Sequence, residues 1–231
     1  MSETVLITGA NRGIGLEMTR QFADAGFRVF ACCRNPESAR DLSRLAASKQ
    51  GQVSLHPLDV THPAQIQAMV DMLGDTPLDI LINNAGAFGP ATPFGDTDVE
   101  AWMDTFRVNT VAPLKMMEAL VDRVAESDRR LMVNITSKMG SIADNGSGGL
   151  YVYRSTKAAL NAVVASAALD LQPRGITVVA MHPGWVLTDM GGPSAEMTVT
   201  ESATALRGLM DDITPADAGR FMDINGADIP W

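Results

Sequence analysis

The sequence is short of several things, and each shortage closes off a class of function. Cysteine is nearly absent. The two residues present, Cys32 and Cys33, are adjacent in an apolar segment, where they read as small core residues rather than as a disulfide pair. That pattern excludes a disulfide framework and agrees with a reducing, cytoplasmic setting. Basic residues are outnumbered, 18 against 27 acidic ones, for a net charge of −9. Lys and Arg are scattered singly or in pairs, so no clustered basic surface for nucleic acid exists. Long apolar runs are missing too: the longest are interrupted within about ten residues, short of the roughly 20 that span a bilayer. Met1-Ser2-Glu3 leads straight into a short apolar run, without the basic stretch and long apolar region of a signal peptide. The three histidines, His56, His62 and His182, are far apart. No Cys/His cluster has ligand spacing, so no metal is expected, and His182 reads as a structural residue beside Pro183. Repeats, low-complexity tracts and linkers are likewise absent, and residues 1–231 are expected to form a single domain.

What the chain does contain is alternation. Apolar runs of β type occur at Val5 to Thr8, Val29 to Cys33, Val53 to Leu58, Ile80 to Asn83, Leu131 to Thr136 and Ile176 to Met181. Segments of helical periodicity separate them: Ile14 to Ala25, Pro36 to Ala47, Pro63 to Leu73, Val99 to Ala125 and Val152 to Leu171. Continuous apolar strands are buried on both faces, as in a parallel sheet covered by helices. Strict alternation then predicts a doubly wound α/β fold of Rossmann type, with about seven strands. Two loops, Ser141 to Gly149 and Met190 to Thr200, follow predicted strands at the carboxyl edge of the sheet, where such folds bind ligands. They are expected to shape a substrate site.

After the first strand comes Thr8-Gly9-Ala10-Asn11-Arg12-Gly13-Ile14-Gly15, opening directly into a helix. Glycine serves where backbone turns sharply or approaches a pyrophosphate, and a helix N-terminus offers free N–H groups to phosphate. Strand, Gly-rich turn and helix in that order predict dinucleotide binding. The second strand ends Cys32-Cys33-Arg34-Asn35-Pro36, with no acid until Glu37. An NAD enzyme usually places an acid about 20 residues past the glycines to hold the ribose 2′-hydroxyl. Arg34 instead suits a 2′-phosphate, with Arg12 assisting, so NADP(H) is favoured over NAD(H).

Tyr153 and Lys157 stand at i and i+4, on one face of a predicted helix. A neighbouring ammonium lowers a phenol's pKa from its ordinary value near 10 and fits it for proton exchange with a substrate oxygen. Ser137, just past a predicted strand, is placed to hydrogen-bond that oxygen. Asn109 lies inside a long helical stretch where Asn is intrinsically unfavoured, which a water-holding role explains. Asn83-Asn84-Ala85-Gly86 closes the fourth strand where a cofactor would cross.

These positions together resemble the short-chain dehydrogenase/reductase family, in its single-domain branch. The matching residues are the turn from Thr8 to Gly15, Asp59-Val60, Asn83 to Gly86, Asn109, Ser137, Tyr153 with Lys157, and Pro183-Gly184. They run in family order to about Asp189. Tyr151 to Lys157, His182 to Gly192 and the segment from Asn225-Gly226 to Pro230-Trp231 look closest to the sniffer and C-factor carbonyl-reductase-like subgroup. The resemblance implies Tyr153 as general acid/base, with Lys157 lowering its pKa and holding the nicotinamide ribose. It implies Ser137, rather than Ser141, as the group orienting the carbonyl, since Ser137 immediately follows the strand. Asn109 would anchor a relay water. Gly9, Asn11, Arg12, Gly13, Ile14, Gly15 and Arg34 would bind the phosphates, and Asp59 and Val60 would border the adenine. Asn84, Ala85 and Gly86 would form the central wall, and Pro183, Gly184, Val186 and Thr188 would meet the nicotinamide.

The implied reaction moves a hydride between NADP(H) and a carbonyl or alcohol, the protein supplying alignment and proton management. Trp185, Met139, Tyr151 and Met190 are candidates to line the cleft for an apolar or aromatic substrate; each is equally compatible with a core position. A dinucleotide-binding regulatory or signalling protein is the alternative. Apolar residues such as Met103, Phe106, Met116 and Met117 fall on more than one helix face, which fits either a homodimer or homotetramer or a fully buried monomer core.

Overall fold

The computed structural model describes residues 2–231. Seven strands form one sheet in the order β3-β2-β1-β4-β5-β6-β7, all parallel. The strands are β1 Thr4–Thr8, β2 Arg28–Cys33, β3 Val53–Pro57, β4 Ile80–Asn83, β5 Leu131–Ile135, β6 Thr177–Met181 and β7 Phe221–Met222. The helices are α1 Gly13–Asp24, α2 Arg40–Ser48, α3 Pro63–Leu73, α4 Val99–Phe106, α5 Ala112–Ala125, α6 Tyr151–Leu171 and α7 Val199–Asp212.

Strand periodicity divides the core into two layers. Val5, Ile7, Val29, Val133 and Val179 face one side and pack with Met18 and Phe22 of α1, Leu42 of α2 and Leu206 and Met210 of α7. Leu6, Phe30, Leu81, Met132 and Val178 face the other and meet Met69 of α3, Met116 and Leu120 of α5 and Leu160 and Val164 of α6. Cys32 and Cys33 are buried and free. Strands β1, β4, β5 and β6 are buried along their whole length, as continuous apolar runs require of a sheet covered on both faces.

Three departures from the sequence reading have local causes. Pro36 to Ala47 is a 3₁₀ turn, Pro36–Ser38, followed by α2. The predicted helix Val99 to Ala125 is broken into α4, a π-helical turn Arg107–Val111, and α5. Pro113 has no N–H to give the carbonyl of Asn109, the acceptor four residues back, so the α-helical ladder cannot pass through unaltered. Third, the segment after β6 contains a helix that the sequence reading assigned no element. α7 begins at Thr198, whose hydroxyl accepts from the Glu201 N–H while the Glu201 carboxylate accepts from the Thr198 N–H.

The strand order reverses between β1 and β4. Chain leaving the carboxyl ends of these two strands diverges there and opens a crevice, the usual ligand position of doubly wound sheets.

Candidate active site

The crevice is floored by glycine. An ideal Cβ on Gly15 would lie 2.3 Å from the Gly9 carbonyl oxygen, and one on Gly9 would lie 2.9 Å from Ala85 Cα. Neither position accepts a side chain without displacing backbone. Gly13 has φ +53°, the left-handed region that glycine enters freely. No side chain caps the N-terminus of α1, whose N-cap is Arg12. Its first N–H groups are therefore open to an anion, with the positive end of the helix dipole behind them.

Asn84 ties the two sides of the crevice together. Its Nδ2 donates to the Thr8 and Gly9 carbonyls at 2.9 and 3.2 Å. Thr8 Oγ1 in turn accepts from the Asn84 and Ala85 N–H groups, both at 3.0 Å. Gly86 lies beside Asn109 and Lys157: a Cβ there would stand 3.4 Å from Asn109 Oδ1 and 3.8 Å from Lys157 Nζ. Arg34 is exposed at the end of β2; burial raises the Asp59 carboxyl, but the hydrogen bonds from Thr61, and after them the charges of His62 and Arg34, hold it below the usual range. Asp59 Oδ1 accepts from the Thr61 N–H and hydroxyl at 2.9 and 2.7 Å. Val60 packs against the apolar core. Arg12 forms an ion pair with Asp189 across the crevice, an engagement that the sequence did not indicate.

Asn109, 0% exposed, sits in the π-helical turn with its amide fully engaged. Nδ2 donates to the Ala87 carbonyl at 2.8 Å and to Thr156 Oγ1 at 3.0 Å, while Oδ1 accepts from the Ala87 N–H at 2.8 Å. The side chain thus fastens α6 to the loop after β4.

Tyr153, in the first turn of α6, is 8% exposed and lines the same cavity as Ser137. Phe88 packs on its ring at 4.7 Å between centroids. Burial pushes the phenol up to about 12, and the neighbouring Ser137 hydroxyl offsets only part of that rise. Lys157 is 5% exposed. Its Nζ donates to the Ile135 carbonyl at 2.9 Å and stands 5.9 Å from the centre of the Tyr153 ring. Burial brings it down to about 8. The sequence reading had the ammonium lowering the phenol; here desolvation dominates both groups and moves them toward their neutral forms.

The two serines have separate surroundings. Ser137 lines a cavity of about 550 Å³ together with Tyr153. Ser141 is fastened to the end of the chain, its Oγ donating to the Pro230 carbonyl and, at 3.2 Å, to the Trp231 carbonyl. The cavity wall also includes Ile14, Phe88, Met139, Trp185 and Met190. Tyr151 does not line it and packs on Phe94 instead. Pro183, Gly184, Val186 and Thr188 line the cavity's β6 side, braced by α7 through Ser202, whose Oγ donates to the Pro183 carbonyl at 2.6 Å. His182, in the same wall, is held neutral by burial, at about 4.

Sequence reasoning missed Phe88, Thr156 and Ser202. The first two had no motif to mark them. Ser202 was within reach, because Thr198-Val-Thr-Glu201 has the spacing of a capping box and so announces a helix.

Comparison with known proteins agrees with this geometry. Residues 3–198 match the model of the short chain dehydrogenase family. The C-signal protein of Myxococcus xanthus is 42% identical over 155 residues, covering 67% of this chain and 93% of that one. A 1-hydroxy-2-glutathionyl-2-methyl-3-butene dehydrogenase of Rhodococcus sp. (strain AD45) is 33% identical over 99% of both chains. Among solved structures, the carbonyl reductase Sniffer of D. melanogaster superposes with a TM-score of 0.93 at 31% identity, covering 100% of both chains. The NADPH-bound carbonyl reductase from chicken fatty liver gives 0.93 at 33% identity, covering 100% of this chain and 99% of the other. The chain belongs to the short-chain dehydrogenase family of oxidoreductases.

Proposed function

We propose that this protein is an NADP(H)-dependent carbonyl reductase, with residues 1–231 acting as one dinucleotide-binding domain. The observation that carries the reading is that Ser137 and Tyr153 line one cavity, whose wall continues through Ile14, Pro183, Gly184 and Thr188 toward the glycine turn. The glycine cradle and the uncapped N-terminus of α1 fit a pyrophosphate, held by Gly9, Asn11, Arg12, Gly13, Ile14 and Gly15. Arg34 takes the 2′-phosphate, which favours NADP over NAD, and Asp59 and Val60 border the adenine. The chicken and Burkholderia multivorans structural relatives, described as bound to NADPH and NADP, support that preference. Asn84 to Gly86 wall the centre, and Pro183, Gly184, Val186 and Thr188 flank the nicotinamide. When bound, the cofactor supplies the hydride.

The protein's own part is the proton. The Tyr153 phenol, protonated at neutral pH and held more firmly so by burial, is set to donate to the oxygen of a carbonyl being reduced. Ser137 hydrogen-bonds the same oxygen and fixes its position. Lys157 keeps a positive charge near the phenol, which favours the phenolate left when Tyr153 gives up its proton, and it would hold the nicotinamide ribose. Because the Asn109 amide is fully engaged, a relay water there binds its main-chain carbonyl, the group that Pro113 leaves without an α-helical donor. Phe88, Met139, Trp185 and Met190 give the cavity an apolar wall for a small apolar or aromatic aldehyde or ketone. The free, buried cysteines fit a cytoplasmic setting.

The likeness to C-signal supports one other reading, a regulatory or signalling dinucleotide binder with incidental turnover. The intact set of Asn109, Ser137, Tyr153 and Lys157 favours the enzyme. Met116 and Met117 are spent in the monomer core, but Leu114, Val121, Val163 and Leu171 line a groove between α5 and α6 that suits the face of a homodimer or homotetramer.

The test is oxidation of NADPH and NADH over a panel of aldehydes, ketones and quinones, repeated with Arg34→Ala. NADPH turnover well above NADH, with Arg34→Ala losing about tenfold or more in kcat/KM for NADPH alone, is the expected result. Tight NADPH binding without turnover of any carbonyl supports the regulatory reading instead.

A further inference from the structure

The substrate cavity carries a cation whose charge the fold does not pair and the proposed hydride transfer does not use. Its wall includes Lys138, Asp144 and Arg154. Lys138 Nζ lies 3.4 Å from the Asp144 carboxylate, and that pair offsets its own charge. Among the described residues, no carboxylate lies within ion-pair distance of Arg154. Its Nη2 donates to Ser147 Oγ at 2.8 Å and its Nη1 reaches the Met139 carbonyl at 3.4 Å. Nε is buried with no acceptor. A guanidinium has five N–H donors in a rigid fork, so with Nε buried, Nη1 and Nη2 each keep a further N–H for a ligand.

Scarcity of acids does not explain it. The chain has 27 acidic residues, and Arg20, Arg123, Arg129 and Arg220 each hold at least one carboxylate. The position is also electrostatically wrong for a structural arginine. Arg154 follows Tyr153 in the first turn of α6, with no acidic residue in that turn to compensate, whereas cations are favoured at the other end of a helix. A local rule broken inside a ligand cavity marks function more often than accident.

We infer that the cavity accepts carbonyl compounds bearing a carboxylate, which Arg154 binds through its unspent N–H donors while the carbonyl meets Ser137 and Tyr153. The substrate's apolar body then lies against Phe88, Met139, Trp185 and Met190. The inference rests on the reductase reading of the same cavity and adds its substrate class. Arg154 serves here as a specificity-determining residue, since bidentate guanidinium–carboxylate contact is geometrically selective.

Two measurements test it and separate its failure from that of the reductase reading. The first compares kcat/KM with NADPH for 4-carboxybenzaldehyde and its methyl ester. The acid is expected to exceed the ester by about tenfold or more, as a charged hydrogen bond warrants. Arg154→Gln is expected to bring the acid-to-ester ratio close to one, chiefly through KM for the acid, and Arg154→Lys to restore part of it. The second is titration calorimetry of benzoate and benzamide with the NADPH-loaded protein, which needs no turnover. Benzoate is expected to bind more tightly than benzamide, with the difference lost in Arg154→Gln. If no carbonyl is reduced yet benzoate binding depends on Arg154, the reductase reading fails and the anion site stands. A ratio near one in the unaltered protein, with benzoate no better than benzamide, overturns the anion site and leaves the reductase reading intact.

Discussion

At the scale of single residues, Lys157 shows most directly how the site trades stability for chemistry. Its ammonium is buried with one main-chain acceptor and, among the described residues, no carboxylate within ion-pair distance, and burial lowers it from the ordinary 10.5 to about 8. A lowered lysine pKa means that folding binds the proton less well than unfolding does. The cost is therefore fully present below pH 8 and fades as pH rises from about 8 to 10.5. Lys157→Met is expected to be inactive and, at pH 7, more stable by up to about 3 kcal/mol. Thermal melts across pH 6 to 10.5 check this: the gain should shrink toward the alkaline end, and a variant less stable at pH 7 contradicts it. The placement of Tyr153, Lys157 and Ser137 was legible in the sequence, because spacing put the first two on one helix and the third at a strand end. The balance of their pKa values was not legible. It depends on how completely the surroundings exclude water, and no spacing rule carries that information.

At the scale of elements, Asn109 sits where regular structure is interrupted. Asn109 was legible as an oddity in a helix, but the reason lies in Pro113, which forces the ladder into a π-helical turn and lets the Asn109 amide clasp Ala87 and Thr156. Strands were read well, since continuous apolar runs have one stable placement in a parallel sheet. β7, two residues long, offers no pattern to read. Helix α7 was passed over because small polar residues lead into it, although its capping box stood in plain view. That helix matters to the site through Ser202, 0% exposed, which satisfies the Pro183 carbonyl. Ser202→Ala leaves this half-buried carbonyl without its protein partner and is expected to cost about 1 kcal/mol of stability. It should also raise KM for NADPH, because the segment from Pro183 to Thr188 loses its brace. Denaturant unfolding and steady-state kinetics of the variant would detect both effects; a change in neither would remove α7 from the account of the site.

At the scale of the whole molecule, the two-layer core explains why the chain presents its chemistry on one edge. Helices cover both faces of the sheet, so the carboxyl ends of the strands are where loops gather, and the reversal between β1 and β4 opens the crevice there. The glycine turn after β1, the Asn84 clasp after β4, Ser137 after β5 and the Pro183 segment after β6 all meet at that edge. A molecule with net charge −9 needs local features to receive an anionic dinucleotide, and the uncapped helix α1 and Arg34 are set where the crevice begins. The most direct test of this arrangement removes one oxygen atom. Tyr153→Phe keeps the ring packed on Phe88 and takes away only the proton donor, and NADPH oxidation with the best aldehyde or ketone from a panel reads the result. The account predicts that kcat falls by two orders of magnitude or more while the fold and the affinity for NADPH are retained. Turnover undiminished in Tyr153→Phe would contradict it.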